Sequence, residues 1–184
     1  MQRIRDGSMY LTPRSDNMKY KVGMYGGKFC PLHKGHYSVI ERALSECERL
    51  FVVLFVNSDA ERDMPVRWFT APAFRYYQLN KAKEFYQQVH GLKEPPQMEI
   101  LVLDSSELSD GREDWHKEAH WIQQRCGTID AIYSSEPEYD PFFKEAYPTA
   151  THVLVDPERK AVPISATELR TEGDYSQELL RWLI

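Results

Sequence analysis

The chain has 184 residues and a formal net charge of −5, and 42% of its residues are hydrophobic and 12% aromatic. This length suits one α/β domain, and the apolar content is sufficient for a buried core, which argues against wholesale disorder. A protein that holds nucleic acid through many phosphate contacts usually carries a basic face, so we expect no nucleic-acid partner. No run approaches the roughly 20 apolar residues of a membrane span, so we expect no membrane partner either.

The number and spacing of the cysteines indicate the cellular compartment of the protein. Cys30, Cys47 and Cys126 are an odd number of cysteines without C-x-x-C spacing. This pattern is typical of reduced thiols and not of a disulfide framework or a zinc site. The N-terminal residues contain charges and lack the apolar segment of a secretory signal. We therefore predict a cytoplasmic protein.

Apolar runs of strand length alternate with segments of helical periodicity from residue 20 onward. Residues 1–18 are polar and irregular, and we expect a loose arm there, followed by one domain over residues 19–184. The continuously apolar segment 51–56 is typical of a central parallel strand that is buried on both faces. In chain order, the predicted elements are a strand at 20–25 that ends at two glycines, a helix over 36–49, a strand at 51–56, a helix over 72–89, a strand at 100–103, a helix over 113–125, a strand at 131–134, a short helix near Phe142, a strand at 152–155 and a helix from about residue 167 to the end.

This alternation predicts an α/β fold with a Rossmann-like open parallel sheet and helices on both faces. In such sheets, ligands bind beyond the carboxyl ends of the strands, near the point where the strand order reverses. The junction between the first strand and the first helix is therefore where we expect a binding site.

That junction is rich in groups that bind phosphate. Gly26 and Gly27 follow the strand and allow the backbone to approach a ligand closely. The next helix would point its unpaired N–H groups and the positive end of its dipole at the same ligand. The junction also contains four basic or hydrogen-bonding side chains, those of Lys28, His33, Lys34 and His36.

Two common glycine motifs do not fit this junction. A Walker A loop requires glycine at position 22 and serine or threonine after the lysine, where the chain has Val22 and Phe29. The G-x-G-x-x-G fingerprint of dinucleotide-binding folds is absent as well. We interpret His33 and His36, which flank a glycine, as phosphate-binding residues and not as a mere helix cap.

A second pattern of this kind lies at residues 164–170. Ser165 and Glu168 have the spacing of a capping box, which predicts a helix that begins at Ala166. The start of that helix would be a second anion site, and Arg170 lies about one turn further, within reach of a phosphate.

Together, the two patterns resemble a known family. His33-Lys34-Gly35-His36 resembles the H-x-G-H signature of the nucleotidylyltransferase superfamily, and residues 164–170 resemble its second signature, I-S-x-T-x-x-R. Within the superfamily, the chain is similar from Val22 onward to the adenylyltransferase domain of NadR-type nicotinamide-nucleotide adenylyltransferases, less closely over 64–96. Bifunctional members add a ribosylnicotinamide kinase domain with a P-loop. This sequence has no P-loop, so we expect no kinase activity. Further matching segments are Gly27-Lys28-Phe29, Ser58-Asp59, Ser134-Ser135-Glu136 and residues 155–159.

The resemblance implies a reaction and its partners. ATP and nicotinamide mononucleotide would give NAD and pyrophosphate, with Mg²⁺ carried by the ATP phosphates and no metal ligand from the protein. The phosphate of the mononucleotide is already a competent nucleophile at neutral pH. Catalysis would therefore consist of positioning and charge stabilisation.

The resemblance also implies site residues. His36, Lys28 and His33 are the expected catalytic residues, with His36 donating to the α-phosphate. The mononucleotide is expected to stack its charged ring on Trp115. We interpret the carboxylates of Glu136, Glu138 and Asp140 as a solvated loop. Residues expected to bind ATP and its phosphates are Gly26, Gly27, Phe29, Ser165, Thr167 and Arg170, and those expected near the mononucleotide are Trp115, Asn57, Ser58, Arg75 and Ser135.

Two alternatives stay open at this point. An adenylyl- or cytidylyltransferase for another phosphate acceptor, such as phosphopantetheine, would share the phosphate chemistry. A non-catalytic sensor of NAD or ATP would use the same pocket. The sequence fixes neither the preference for the amide over the acid mononucleotide nor whether the chain forms a homo-oligomer.

Overall fold

The computed structural model describes residues 18–61, 70–108, 114–163 and 165–171. The predicted N-terminal arm lies outside these residues except for Met18, and so does the last predicted helix beyond Thr171. Within the described part of the chain, no helix combines the length and the apolar character needed to cross a membrane.

Strands and helices alternate along the chain. Two short 3₁₀ turns, Ser105–Glu107 and Pro137–Tyr139, follow the third and fourth strands. The elements are β1 (Tyr20–Gly27), α1 (Lys34–Glu46), β2 (Cys47–Val56), α2 (Ser58–Glu61), α3 (Pro72–Val89), β3 (Met98–Asp104), α4 (Trp115–Cys126), β4 (Ala131–Ser134), α5 (Asp140–Ala146), β5 (Thr151–Leu154) and α6 (Ala166–Thr171).

The strands form one parallel sheet of five strands in the order β3-β2-β1-β4-β5. The chain builds outward from β1 to β3 on one side and then returns to place β4 and β5 on the other side. The strand order therefore reverses between β1 and β4, and a crevice for ligands opens at their carboxyl ends.

Apolar side chains form a core on each face of this sheet. One core contains Ile40 of α1, Leu79 of α3 and Val52 of β2. The other contains Ile122 of α4 and Val53 of β2. Neighbouring strand residues belong to different cores because successive side chains point to opposite faces. The predicted Rossmann-like open parallel sheet with helices on both faces is confirmed.

The ends of the helices and strands were predicted best where the sequence shows a single clear pattern, either helical or strand-like. α3 and β4 match their predictions, and most other predicted strands and helices agree within one or two residues. The largest errors lie between the first helix and the second strand, since α1 ends at residue 46 and not 49, and β2 begins at residue 47 and not 51. Cys47 has extended backbone angles, φ −114° and ψ 142°, and pairs with Tyr20 of β1. Pairing with β1 therefore places Cys47 in a strand, although its spacing in the sequence fits the preceding helix. The short helix α2 was not predicted.

Candidate active site

A cavity of about 400 Å³ lies at the carboxyl ends of β1, β2 and β4, where the strand order reverses. The first turns of α1 and α4 and the segment between β5 and α6 complete its wall. The structure thus brings together most of the residues that were predicted from separate parts of the sequence. The predicted residues that line the cavity are Gly26, Gly27, Lys28, His33, His36, Asn57, Trp115, Ser135, Ser165 and Thr167.

His33 and His36 cap the start of α1 reciprocally. His33 is the N-cap residue, and its Nδ1 atom accepts the backbone N–H of Gly35 at 3.1 Å. The Nδ1 atom of His36 in turn accepts the backbone N–H of His33 at 3.3 Å. Since Nδ1 accepts in both rings, each neutral imidazole carries its proton on Nε2 and is a hydrogen-bond donor there. The arrangement is a capping box in which two histidines replace the usual Ser or Thr and Glu or Gln.

Two glycines that line the cavity, Gly35 and Gly26, lie close to neighbouring rings. The centroids of the His33 and His36 rings are 3.8 Å apart. A Cβ atom at Gly35 would lie 2.9 Å from Cε1 of His33, and one at Gly26 would lie 2.5 Å from Cε2 of Phe55. Both distances are too short for real contacts, so these positions exclude larger residues while the rings keep their places.

Of three further predicted residues, two do not line the cavity, and the third has no described side chain. Phe29 is buried below the cavity, and its ring meets the edge of the His36 ring with centroids 5.2 Å apart. Ser58 is exposed, and its hydroxyl donates to Asp104. The backbone of Arg170 lies in α6, which begins at Ala166 as predicted, but the Arg170 side chain is outside the described part of the structure.

Arg75, the fourth such residue, is fully buried and does not line the cavity. Its guanidinium forms an ion pair with Glu61 and donates to the carbonyl oxygens of Lys28 and Phe55. These carbonyls lie at the ends of β1 and β2, beside the cavity. In this structure Arg75 supports the backbone below the predicted phosphate site.

A hydrogen-bonded network orders the opposite wall, after β4. The hydroxyl oxygen of Ser134 lies 2.7 Å from Nε2 of His152, and Nδ1 of His152 lies 3.2 Å from a carboxylate oxygen of Asp140. The Ser134 hydroxyl also accepts the backbone N–H of Glu136 at 3.2 Å. The interpretation as a solvated loop agrees with the exposed Glu138, but it is wrong for the other two residues, since Asp140 holds His152 and Glu136 lines the cavity.

The segment after β5 supplies an arginine that sequence reasoning did not assign. Asp156 and Arg159 have φ angles of 46° and 51°. The Asp156 carboxylate accepts the backbone N–H groups of residues 160–162 at distances between 2.9 and 3.2 Å. The hydrogen bonds from this backbone hold the pKa of Asp156 below its usual range. The resulting turn places Arg159 in the cavity wall, where it donates to Glu136 at 2.7 Å.

An aromatic wall closes the cavity at the start of α4. The Trp115 ring is stacked on Phe142, with centroids 5.2 Å apart and an interplanar angle of 16°. It also contacts Tyr139 and Phe143 at centroid distances of 5.3 and 5.7 Å. Trp115, Tyr139 and Phe143 line the cavity, together with Glu118. Sequence reasoning missed Glu118; its one signal was its position one helical turn after Trp115.

Comparison with known proteins identifies the family of the chain. The family model described as cytidylyltransferase-like matches residues 24–172. The chain is 26% identical to the trifunctional NAD biosynthesis/regulator protein NadR of Escherichia coli (strain K12), over 92% of this chain and 41% of that protein. It is 49% identical over 37 residues to the phosphopantetheine adenylyltransferase of Fusobacterium nucleatum, which is 20% of this chain and 23% of that protein. The chain thus spans about two fifths of the length of the NadR protein that it matches.

Solved structures show the same fold. A bifunctional NMN adenylyltransferase/ADP ribose pyrophosphatase from Francisella tularensis superposes with a TM-score of 0.61 at 18% identity, over 89% of this chain and 45% of that one. A NadR protein in complex with NR superposes with a TM-score of 0.59 at 20% identity, over 91% and 45%. The chain therefore belongs to the cytidylyltransferase-like family, as its resemblance to nucleotidyltransferases predicted, and within that family it is similar to NadR.

Proposed function

We propose that the chain transfers the AMP unit of ATP to nicotinamide mononucleotide and releases NAD and pyrophosphate. The observation that carries the proposal is the reciprocal cap of α1 by His33 and His36, which uses both Nδ1 atoms and places both rings in the wall of the cavity at the end of β1. The names of the similar proteins, which refer to NAD biosynthesis and to NMN adenylyltransferase, support nicotinamide mononucleotide as the acceptor.

The proposed mechanism consists of holding two anions in line. Effective molarity from such positioning contributes on the order of 7–11 kcal/mol, provided that the repulsion between the anions is screened. His36 would donate to the α-phosphate as charge develops, and His33 would hold the ATP phosphates. Lys28 would bridge the α-phosphate and the mononucleotide phosphate. Ser165, Thr167 and Arg170 would hold the leaving pyrophosphate.

Mg²⁺ is part of the proposal as the partner of ATP. The groups at the α1 end of the cavity are imidazole and ammonium groups, which suit phosphate oxygens and not Mg²⁺, whose preferred ligands are oxygen atoms. Within the described residues, no three His, Cys, Asp or Glu side chains lie together as a metal site. We assign the ion to the phosphates, where it would neutralise part of their charge.

The test is an assay of the purified chain with Mg-ATP and a panel of acceptors. Nicotinamide mononucleotide, nicotinic acid mononucleotide and phosphopantetheine are supplied separately, and pyrophosphate release and the mass of the product are measured. The expected product is NAD from the first acceptor. Turnover with phosphopantetheine alone would overturn the proposed acceptor in favour of the second candidate, which the Fusobacterium match supports. Nucleotide binding without turnover on any acceptor would support the sensor.

A further inference from the structure

His152 lies on β5, the last strand in the order of the sheet, and connects two separate parts of the cavity wall. Only 5% of its side chain is exposed. On one side, its Nε2 atom lies 2.7 Å from the hydroxyl oxygen of Ser134, at the end of β4. On the other side, its Nδ1 atom lies 3.2 Å from a carboxylate oxygen of Asp140, the first residue of α5. Both ring nitrogens therefore make contacts inside the protein.

The contact with Asp140 determines the tautomer of His152. The Lys144 ammonium and then the His152 ring hold the pKa of Asp140 below its usual range, so the carboxylate is ionised at neutral pH and only accepts hydrogen bonds. Nδ1 must then carry the ring proton, which leaves Nε2 of the neutral ring as an acceptor. The Ser134 hydroxyl is therefore the donor in the 2.7 Å contact with Nε2.

The Ser134 hydroxyl links His152 to backbone that lines the cavity. Its oxygen accepts the backbone N–H of Glu136 at 3.2 Å, while its hydrogen is directed to His152. The carbonyl oxygen of Glu136, at 3.3 Å, is the more distant acceptor for that hydrogen. Ser134, Ser135 and Glu136 all line the cavity. The position of the His152 ring thus fixes a turn of the backbone in the wall after β4.

The contacts of His152 with α5 reach the aromatic part of the wall. The His152 and Phe143 rings meet at 77° with centroids 4.9 Å apart. Phe143 contacts Trp115 at a centroid distance of 5.7 Å, and Phe142, from the same short helix, is stacked on Trp115. Asp140 and Phe143 therefore hold α5 against His152 while α5 supports Trp115. One buried side chain connects both walls.

We propose that His152 is a positioning residue that holds two walls of the mononucleotide site at a fixed separation, an inference that rests on the proposed function. Trp115 and Ser135, two of the residues expected near the mononucleotide, belong to these walls, one to each. A planar ring binds more tightly between surfaces that are already in place, because ordering them on binding would cost affinity. The phosphates would lie at the α1 end of the cavity. His152 should therefore affect the affinity for the mononucleotide and not the chemical step.

The test uses three substitutions that remove different contacts of His152. His152→Phe keeps a ring beside Phe143 and removes both hydrogen bonds. His152→Asn places its amide near the former Nδ1 atom, within reach of Asp140, and His152→Gln places its amide near the former Nε2 atom, within reach of Ser134. We measure kcat and KM for nicotinamide mononucleotide and for Mg-ATP. His120→Gln, at an exposed position that does not line the cavity, is the control.

We expect His152→Phe to raise the KM for nicotinamide mononucleotide by about tenfold and to leave kcat and the KM for Mg-ATP within about twofold of the wild-type values. His152→Asn and His152→Gln, which each retain one hydrogen bond, should lie between the wild-type chain and His152→Phe. His120→Gln should match the wild-type chain. A loss of folded protein alone would lower kcat and leave both KM values unchanged, so this pattern separates positioning from a purely structural role.

Two results would overturn the inference. One is an unchanged KM for the mononucleotide in His152→Phe, and the other is an equal rise of both KM values. If His152→Phe does not fold, as judged by circular dichroism, His152→Asn and His152→Gln decide the question. A wild-type KM for the mononucleotide in both of them would overturn the inference as well.

A binding measurement distinguishes failure of this inference from failure of the proposed function. Calorimetric titration with nicotinamide mononucleotide, and separately with Mg-ATP, requires no turnover. Mononucleotide binding that is about tenfold weaker in His152→Phe, with unchanged affinity for Mg-ATP, supports the inference even if no NAD is formed. Equal mononucleotide affinity in the wild-type chain and His152→Phe overturns the inference and leaves the proposed reaction intact. If the wild-type chain binds Mg-ATP and no mononucleotide, the proposed acceptor is wrong and the inference fails with it.

Discussion

Arg75 and Glu61 form an ion pair of 2.6 Å in which only 1% of the arginine side chain and 19% of the glutamate side chain are exposed. The same guanidinium donates to the carbonyl oxygens of Lys28 at 3.1 Å and Phe55 at 3.4 Å. One side chain thus connects α3, the end of α2 and the ends of the two strands that border the cavity. A buried charge with this many partners stabilises the backbone around the site, independently of any contact with a ligand.

Arg75→Met should therefore destabilise the fold by about 3–5 kcal/mol, because it leaves Glu61 without its buried partner. Urea denaturation measures the loss. Lys81→Met is the matched control, since Lys81 pairs with Glu84 at the surface with both side chains about half exposed, and it should change stability by less than about 0.5 kcal/mol. Normal stability of Arg75→Met together with a raised KM for the mononucleotide would instead favour direct binding, as the sequence predicted.

The two histidines can be tested apart from their capping role. Asparagine is a good N-cap residue, so His33→Asn should keep α1 folded within about 0.5 kcal/mol, whereas His33→Ala should cost about 1 kcal/mol. His36→Ala should lower kcat by about 10²–10³ at saturating substrates, since it removes a donor to the developing charge. Steady-state kinetics and denaturation curves give both quantities. Wild-type kcat in both His33→Asn and His36→Ala would show that these residues cap the helix and take no part in catalysis.

Gly35→Ala tests the position of the His33 ring. The new methyl group would lie 2.9 Å from the ring, which must then move. A displacement of about 1 Å in a positioned group can cost about 10² in rate, so kcat/KM should fall by that order. Stability should change little, because alanine favours the helix over glycine by up to about 1 kcal/mol. Gly127→Ala, at φ 74° and with open space around its Cβ, should show the reverse: lower stability and retained activity.

The fold was largely predictable because its signals are local. The unbroken apolar run of β2 and the helical length of α3 each depend on neighbouring residues. The end of α1 was not predictable, since Cys47 fits the helical spacing and only its pairing with Tyr20 places it in a strand. The cavity residues that lie beside glycines or at the starts of helices were also predicted, because both are local patterns of the sequence.

The contacts of Arg75 and Arg159 were not predictable from local patterns. Each depends on groups distant in sequence. Glu61 and the carbonyl of Lys28 meet Arg75 only after α3 packs on the sheet. The same holds for the Ser134–His152 hydrogen bond, which requires β4 and β5 to be neighbours.

Buried cysteines should be unreactive in the folded chain. Burial raises the pKa of Cys47 and that of Cys126 to about 11 each. At pH 8 about 10⁻³ of such a thiol is ionised, compared with roughly a quarter of an ordinary thiol, and the thiolate is the reactive form. Labelling with Ellman's reagent, mapped by mass spectrometry, should therefore be at least about 10²-fold slower in native protein than in urea. Fast native labelling at either position would contradict this arrangement.

Acid should weaken the turn that places Arg159. The backbone N–H groups of residues 160–162 hold the folded-state pKa of Asp156 below its unfolded value. The stabilisation is therefore complete above the unfolded pKa of about 3.9 and disappears as the pH falls through the lower folded value. The wild-type chain should unfold at a higher temperature than Asp156→Asn at pH 6, and the difference should shrink towards pH 2.

The matched control for this experiment is Glu158→Gln. Glu158 is exposed and pairs with the side chain of Lys160 in the same turn. Unlike Asp156, it does not accept the backbone N–H groups of residues 160–162. Its difference from the wild-type chain should be small at both pH values. An Asp156→Asn difference that stays constant between pH 6 and pH 2 would show that the carboxylate charge does not stabilise the turn.

The reciprocal cap of α1 has a consequence for the thermodynamics of ligand binding. The hydrogen bonds that start the helix also fix the tautomer of His33 and of His36 and hold both rings against rotation. The entropy of ordering these donors is lost once, when the chain folds, and not again each time a nucleotide arrives. In the proposed reaction, affinity for the phosphates would therefore be linked to the integrity of this one helical turn.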